Sequence, residues 1–567
     1  MILKALYDYY NRCGNLPAKG MEEKEIGFLL VLSSEGRFLR FEDCRTDRDH
    51  ARVYLVKKHV GRSSAAVANY LYDNSAYVLG YSDKSNGKDQ LYFDTFKNKV
   101  NEIADIFSND KDVLAIKKFY NNSREDILEI VSQDPLWEDI KKNLSKKYST
   151  FSFRIDGDLK IVAEKKDILQ LDKAEDTCNG NLCLVSGSYG QSVDTTTATM
   201  IPGSQATAKL VAFQVNSGYD SYGKTKCGNA PISEEAEFAY TTALNSMLQK
   251  GSRNKFVLGN RTFVFWASSK NEVSQEVEDS LFELLGFQEE ERDDPNANLK
   301  KVRKVFESIY TGSQKTSLDD RFYILGLAPN SARIAVVYWS ETTLRNFAEK
   351  MMKHFNNMEI HDTRKDPKPY MGVREMISAV SLDGKMSNAI PNLPEAVVKS
   401  IFQGLPYPAT LYSACLRRIR AEQKLTITRA AIIKAYLNRQ SNNNKKIDIM
   451  LDKENNNQGY LCGRLFAVLE NLQFAANGQD SIRSSYMNAA STTPSTVFST
   501  ILKLSNNHYG KLAKDKKGLA NFFDNQKKEI MAMLQEFPDT LELKDQGRFF
   551  LGYYHQKNYK ENNNSEE

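Results

Sequence analysis

After Leu405 the sequence stops reading as strand. From there to the C-terminus apolar residues recur at spacings of three and four. Leu461, Leu465, Val468, Leu469 and Leu472 form one stripe, and Val497, Ile501 and Leu504 form another behind a Pro494 suited to a first helical turn. The Asn runs at 442–444 and 455–457 read as loops between helices. A C-terminal third that holds only amphipathic helices must bury their stripes against one another, so the chain is expected to end in an all-α helical bundle over 401–567.

The preceding 1–400 reads as a mixed α+β part with antiparallel β-hairpins and helices. Ile2, Leu6 and Tyr10 are spaced as on a helix. Ile26–Leu32, the turn residues Ser33-Ser34-Glu35-Gly36 and Arg37–Glu42 predict a hairpin, and Arg52–Lys58 a further strand. Phe96, Val100, Ile103 and Ile106 set a helical period over 94–147. Strand patterns return at 151–162, 207–215 and 255–266, and Ser233-Glu234-Glu235 opens a helix as an N-cap followed by acids. An acidic stretch at 271–294, closed by Pro295, reads as a solvated helix and turn at a subdomain boundary near 271–300. Phe322–Trp339 predicts a hairpin turning at Pro329-Asn330, and 343–355 an amphipathic helix.

A length of 567 residues implies more than one core. The net charge of +5 is small for that size, so any polyanion partner must be argued from where charge clusters. Seven cysteines without dense spacing suit reduced thiols, and a cytoplasmic location is expected. The N-terminus lacks a signal-peptide pattern, and no run approaches the roughly 18 apolar residues of a membrane span.

One motif invites an enzymatic reading. Gly218-Tyr-Asp-Ser-Tyr-Gly223-Lys224-Thr225 matches the phosphate-loop pattern, whose chemistry needs a helix starting at the Gly-Lys-Thr so that successive amides face phosphate. Gly228 and Pro231 follow within six residues of Thr225 and oppose that helix. A P-loop NTPase on Gly218–Thr225 is therefore the alternative, and a structural Gly-rich turn the expectation. Cys178 and Cys183 could form half a zinc site but lack a second pair, and His361-Asp362 is similar to the metal-binding pair of phosphohydrolases without the accompanying histidines. No catalytic residue, metal or cofactor is expected, and the chain reads as a non-enzyme.

The basic residues cluster in three places. Arg417, Arg418, Arg420, Lys424, Arg429, Lys434 and Arg439 face one acid, Glu422, between Leu405 and Gln440. Arg417, Arg420 and Lys424 at i, i+3 and i+7 would put cations opposite Tyr412, Cys415 and Ile419, as binding to a phosphate backbone requires. A solvated face paired with acids elsewhere in the chain fits equally. Lys503, Lys511, Lys514, Lys516 and Lys517 make a second strip. Lys57, Lys58 and Arg62 precede Asn74 and Tyr77, residue types suited to groove contact, although a polar turn between packed elements would look the same.

Ordered blocks along the chain carry a resemblance. They are Met1–Tyr10; Asp73-Asn74-Ser-Ala-Tyr77-Val-Leu-Gly80; Cys183-Leu-Val-Ser-Gly187; Ser221-Tyr-Gly-Lys224 with Asn229-Ala-Pro231; and Tyr240–Asn245. Phe263–Trp266, Leu325–Asn330, Arg429–Leu437, Gly463–Glu470 and Gln546-Gly547 with Gly552–Gln556 complete them. Together the blocks resemble the large subunit of the type I-C CRISPR interference complex (Cascade). The Thr-rich run Ser188–Ala206 and the acidic 271–294 segment depart from that pattern. The resemblance implies a non-catalytic subunit that recognises the motif adjacent to a double-stranded DNA target, stabilises the R-loop and helps to recruit the helicase-nuclease. Sequence itself is read by the crRNA. The implied partners are crRNA, the target DNA, and the backbone and handle-binding subunits of the complex. A small subunit similar to this chain's own C-terminal domain is implied as well. Lys57, Lys58, Arg62, Asn74 and Tyr77 would contact the adjacent motif, and the basic helices the strands. A separately made C-terminal piece is also implied; a start at Met450 would give 118 residues.

Overall fold

The structure is a computed structural model that describes residues 1–559 apart from 61–65, 84–86, 147, 172–179, 200, 214–219, 250, 259, 285–294, 318, 365–366, 369, 441–445 and 480. The chain forms two units. One holds Cys13–Asp194 with Val215–Thr242, and the other Met1–Arg12, Thr195–Gln214 and Ala243–Glu567. The chain opens on helix α1 (Ile2–Arg12), as its apolar spacing predicts.

The first of these units holds strands β1 (Met21–Glu25), β2 (Phe28–Leu32), β3 (Phe38–Asp43), β4 (Val53–Lys57) and β5 (Tyr72–Asn74). Helices α2 (Ser75–Val78), α3 (Asp89–Ile106), α4 (Lys111–Phe119), α5 (Arg124–Ser132) and α6 (Trp137–Asn143) lead to β6 (Thr150–Ile155). The order β3-β2-β6-β5 makes a four-stranded sheet in which β2 and β6 run parallel, and the helices between them supply the crossover. Every residue of β2 is buried, which explains why it reads as a continuous apolar run rather than an alternation. The β2–β3 turn requires Gly36: its φ is +83°, and a Cβ there would stand 2.4 Å from the carbonyl oxygen of Ala115. Strands β1 and β4 pair separately. Helix α7 (Lys166–Leu169), the two-residue pair β7 (Asn181–Leu182) and β8 (Tyr189–Gly190), and the first part of α8 (Glu234–Leu248), as far as Thr242, follow. Ser233 Oγ accepts the Ala236 N–H at 3.2 Å and caps α8 as predicted.

The second unit holds β9 (Lys255–Leu258), β10 (Arg261–Ala267), α9 (Glu272–Leu284), α10 (Pro295–Thr311), β11 (Arg321–Asn330) and β12 (Arg333–Thr343). The four strands make an antiparallel sheet in the order β9-β10-β11-β12. The β11–β12 turn falls two residues later than the sequence suggests, at Ser331-Ala332. Asn330 still pairs with Arg333, and Ser331 takes the positive φ of +53°. The expected strand at 207–215 does not form among its described residues; Lys209 alone bridges to Arg333. Of the acidic stretch, Glu272–Leu284 is helix and 285–294 lies outside the described residues, as does the Asn run at 442–444.

Helix α11 (Leu344–Met358) packs on this sheet, and from Val373 the described residues form only helices and their connections. They are α12 (Val373–Val380), α13 (Leu393–Phe402), α14 (Ala409–Glu422), α15 (Ile427–Gln440), α16 (Gln458–Asn477), α17 (Ser481–Ala490), α18 (Pro494–Asp515), α19 (Lys517–Met533) and α20 (Leu543–Lys557). The compositional change at residue 400 lies inside this unit because one core runs through it. Phe347 of α11 stacks on Phe322 of the sheet at 4.6 Å and meets Phe402 of α13 at 5.7 Å. Helix α16 is buried on all sides, from Gly459 to Glu470 without a break, and crosses α20 at backbone contact. A Cβ on Gly463 would lie 1.9 Å from the Phe549 carbonyl oxygen, and one on Gly552 2.1 Å from that of Tyr460.

Candidate nucleic-acid interface

Asn74 ends β5, where pairing with β6 fixes its backbone, and caps α2. Its Oδ1 accepts the N–H groups of Ala76 (3.1 Å) and Tyr77 (3.4 Å). The residue is exposed, and the cap aims the Nδ2 donors away from the helix. Its expected companions are placed differently. Tyr77 is 5% exposed with its ring stacked on Tyr92 at 4.8 Å. Lys57 is buried; its ammonium donates to the Leu171 carbonyl and sits 4.4 Å from the Tyr70 ring centre. Lys58 lies over the Phe238 ring at 5.6 Å. Arg62 lies outside the described residues.

On α14 and α15 most of the expected cations are committed inside the unit. Arg418 pairs with Glu422 at 2.9 Å. Arg420 bonds Gln546 of α20. Arg429, 5% exposed, donates to the carbonyl oxygens of Ala379 and Lys424 and pairs with Glu422 at 2.6 Å. Lys434, 2% exposed, donates to the Asn357 carbonyl oxygen at 3.0 Å in the last turn of α11, and burial lowers its ammonium to about 8. Arg439 donates to the carbonyl oxygens of Ser400 and Leu405 and stacks over the Tyr407 ring at 4.0 Å. Helix α14 ends at Glu422 because Gln423 turns left-handed (φ +50°), so Lys424 does not continue the i, i+3, i+7 face. Arg417 and Lys424 remain exposed. The helical period was legible, but the buried acceptors that absorb the other cations lie far away in sequence.

The second strip is different. Lys503, Lys511 and Lys514 are exposed on α18, and with Asn507 they repeat at i, i+4, i+8 and i+11, along one face. By the helical rise this face runs about 16 Å between Lys503 and Lys514. Lys511 Nζ donates to Asn477 Oδ1 at 2.9 Å, and Asn477 Nδ2 meets His508 Nδ1 at 3.1 Å. Burial, then the Lys511 charge, holds the His508 imidazole below its ordinary value, so it stands neutral beside the strip. Phe474, three residues before Asn477 on α16, is 59% exposed. Lys516 and Lys517, at the α18–α19 junction, are exposed as well. Sequence reading found the lysines and missed Phe474, because its place beside them depends on the α16–α18 packing.

The phosphate-loop motif lacks the helix its chemistry needs. Gly218 and Tyr219 lie outside the described residues, Thr225 is extended, and Lys226–Asn229 form a single four-residue 3₁₀ turn. Cys178 is also outside. Cys183 Sγ accepts the backbone N–H groups of Val185, Ser186 and Ser233 at 3.2–3.5 Å. Burial raises that thiol, but these bonds together bring it down to about 7. Asp362 pairs with Arg364, and the His361 carbonyl accepts the Tyr554 hydroxyl at 2.9 Å. Among the described residues no group of three or more His, Cys, Asp or Glu stands where it could hold a metal ion.

With this architecture in place, comparison with known families sets the class. The family model for CRISPR-associated protein (Cas_Csd1) matches residues 6–559. The chain belongs to this Cas_Csd1 family, and its general role is that of a CRISPR-associated protein. No curated protein matches the sequence at a significant level. No helix among the described residues is long and apolar enough to cross a membrane.

Proposed function

We propose that this chain is the non-catalytic large subunit of a cytoplasmic, crRNA-guided type I-C interference complex (Cascade). It works with the backbone, handle-binding and small subunits, and it checks the motif adjacent to the DNA target. It then holds strand in the opened R-loop and helps to recruit the helicase-nuclease. The observation that carries this reading is the exposed α18 face with Lys503, Lys511 and Lys514, together with the exposed Phe474, one helical turn before the Asn477 that Lys511 bonds. Lysines in a row attract phosphates without regard to sequence, and an exposed aromatic ring stacks an unpaired base. Adjacent-motif recognition falls to Asn74, whose amide donors suit the acceptors of an A·T pair in the minor groove. Arg417 and Lys424 add backbone contacts.

The test uses the co-expressed complex and target duplexes with the flanking motif varied. Lys503, Lys511 and Lys514 all changed to Gln should weaken binding to every target. The triple change should also flatten the salt slope by about 2 for a single-stranded segment. Asn74→Ser keeps an α2 cap and removes the amide donors, so it should weaken binding only where the adjacent motif is correct. Equal loss with and without the motif would remove Asn74 from motif recognition, and an unchanged salt slope would remove the α18 strip.

A further inference from the structure

A groove of about 810 Å³ opens in the second unit between α11, α15 and the segment Lys446–Ile449. Its walls are pinned by buried polar side chains. Lys434 donates to the carbonyl oxygens of Asn356 (3.4 Å) and Asn357 (3.0 Å), which ties α15 to α11. Asn438 donates to the Ile447 carbonyl at 3.0 Å and accepts its N–H at 2.8 Å, which ties α15 to the third wall. The space is thus framed by bonds that do not depend on a ligand.

The lining has a definite chemistry. Asn346, Lys350, Lys353 and Asn357 recur at i, i+4, i+7 and i+11 along α11, so one continuous helix face looks into the groove. Lys446 and Lys434 add positive charge against the carboxylates of Glu349 and Asp448, leaving the lining net positive. Lys353 donates to the Gly404 carbonyl at 3.1 Å. Among the described residues, Lys350 and Lys446 meet no carboxylate within ion-pair distance. Tyr310, 50% exposed, contributes an aromatic ring. The volume suits a small ligand, for which sites span roughly 300–1,000 Å³. A lining of ammonium and amide groups selects against an apolar guest. What fits is a molecule with an anionic end, hydrogen-bonding edges and a flat face.

We propose that this groove binds a nucleoside phosphate. Lys350 and Lys446 take the phosphate, Asn346 and Asn356 meet the edge of the base, and Tyr310 stacks on it. The ligand is either a free nucleotide or one unpaired nucleotide of a strand; the chemistry recognised is the same. These residues are separate from the α18 strip, so the two sites fail independently.

The full-length chain is titrated with AMP, with a labelled ten-nucleotide oligothymidylate and with inorganic phosphate. The variants are Lys350→Gln with Lys446→Gln, Tyr310→Leu, and Lys511→Gln with Lys514→Gln as control. The first three positions are exposed or half-buried, so the fold should survive. Each groove variant should weaken nucleotide binding by about tenfold or more, and the control should leave AMP binding unchanged. Saturable AMP binding identifies a free nucleotide as the ligand. Binding of the oligonucleotide alone, still sensitive to the groove variants, identifies a strand. The proposal is overturned if neither nucleotide probe binds, or if both groove variants keep wild-type affinity. It is also overturned if phosphate binds as tightly as AMP, or if AMP does not bind and only the control variant affects the oligonucleotide.

Discussion

Gly463→Ala tests how the bundle is held together, because two opposing effects predict opposite signs. Inside a helix, replacing Gly by Ala ordinarily stabilises by about 0.8–1.0 kcal/mol through the unfolded chain's lost freedom. At position 463 the added Cβ would lie 1.9 Å from the Phe549 carbonyl oxygen and 2.9 Å from the Tyr553 nitrogen. Carbon and carbonyl oxygen settle no closer than about 3.3 Å, so α16 and α20 must part locally by about 1.4 Å. The contacts flanking Gly463 do not survive such a shift. Tyr460 and His555 share a hydrogen bond of 2.9 Å, and Arg464 Nε donates to Gln556 Oε1 at 3.0 Å, both across the same helix pair. Losing one neutral and one charge-assisted bond costs about 2–4 kcal/mol, and the strain of overpacking adds about 1–3. Against a gain of about 1 kcal/mol, the net loss is about 2–6 kcal/mol.

Gly510→Ala is the matched control. It also sits inside a helix, α18, but its Cβ would meet nothing within 4 Å. Only the helix-propensity gain remains, about 1 kcal/mol. Hydrogen exchange of the α16 and α18 amides separates the two outcomes in the full chain without requiring two-state unfolding. Exchange in α16 should speed by about 30-fold or more for Gly463→Ala and exchange in α18 slow by about fivefold for Gly510→Ala, at 1.4 kcal/mol per tenfold. Unchanged or slower α16 exchange in Gly463→Ala would show that the helices relax freely, and the close-contact account would fall.

Three further outcomes follow from the same unit. Glu470 is fully buried and accepts from Arg483 (2.6 Å), the Tyr553 hydroxyl (2.6 Å) and Lys557 (2.7 Å), so Glu470→Gln leaves two cations short of their counter-charge. Both cations keep partial access to water, so it should cost about 1–3 kcal/mol in denaturant unfolding, and a cost under about 0.5 kcal/mol would show the network to be dispensable. Burial holds His354 down to about 3, so it stays neutral in the folded chain while the unfolded chain protonates near 6.5. Stability should therefore fall as pH drops from about 6.5 towards 3, by about 2 kcal/mol at pH 5, and His354→Gln should lose this share of the acid sensitivity. Parallel pH profiles for the two proteins would assign the sensitivity elsewhere. Met450 is half exposed just before α16, so a start there would yield α16–α20 with the α16–α20 contact intact. Met450→Leu should remove a 118-residue C-terminal product from the purified complex, and its persistence would exclude this start.

The sequence carried the local structure well and the roles of its charges poorly, for one physical reason. A period of 3.6 residues, a cap such as Ser233 or a run such as Phe28–Leu32 is decided by neighbours in the chain, and each appears where it was read. Whether a lysine is free is decided by what folds against it. Lys434 and Lys503 are alike in sequence terms, each inside a helix among apolar residues. One meets the carbonyl groups ending α11 and is buried, and the other meets solvent. The division of the chain was hidden in the same way, since α11 joins the sheet to the helices through Phe347 and no composition change marks that contact.

The blocks that carried the family resemblance sharpen this point. Gly463 and Gly552 are the closest approach of α16 and α20, and Arg464 and Gln556 bond across it. Arg429–Leu437 is the buried length of α15, Phe263–Trp266 the centre of β10, and Asn74 a helix cap. These are positions where packing tolerates few alternatives. None of Lys503, Lys511, Lys514, Lys350 or Lys446 belongs to any of these blocks. A family assignment made on such residues therefore speaks for the scaffold. The surfaces that meet nucleic acid sit on helix faces where many residues would fold equally well, and they must be argued from exposure and charge. Asn74 is the exception, because one side chain serves both ends: its oxygen holds α2 and its amide faces out. If Asn74→Ser preserves stability but abolishes motif discrimination, the two kinds of constraint meet in one residue. If discrimination survives, the block containing Asn74 is architecture like the rest, and motif reading lies elsewhere on the surface.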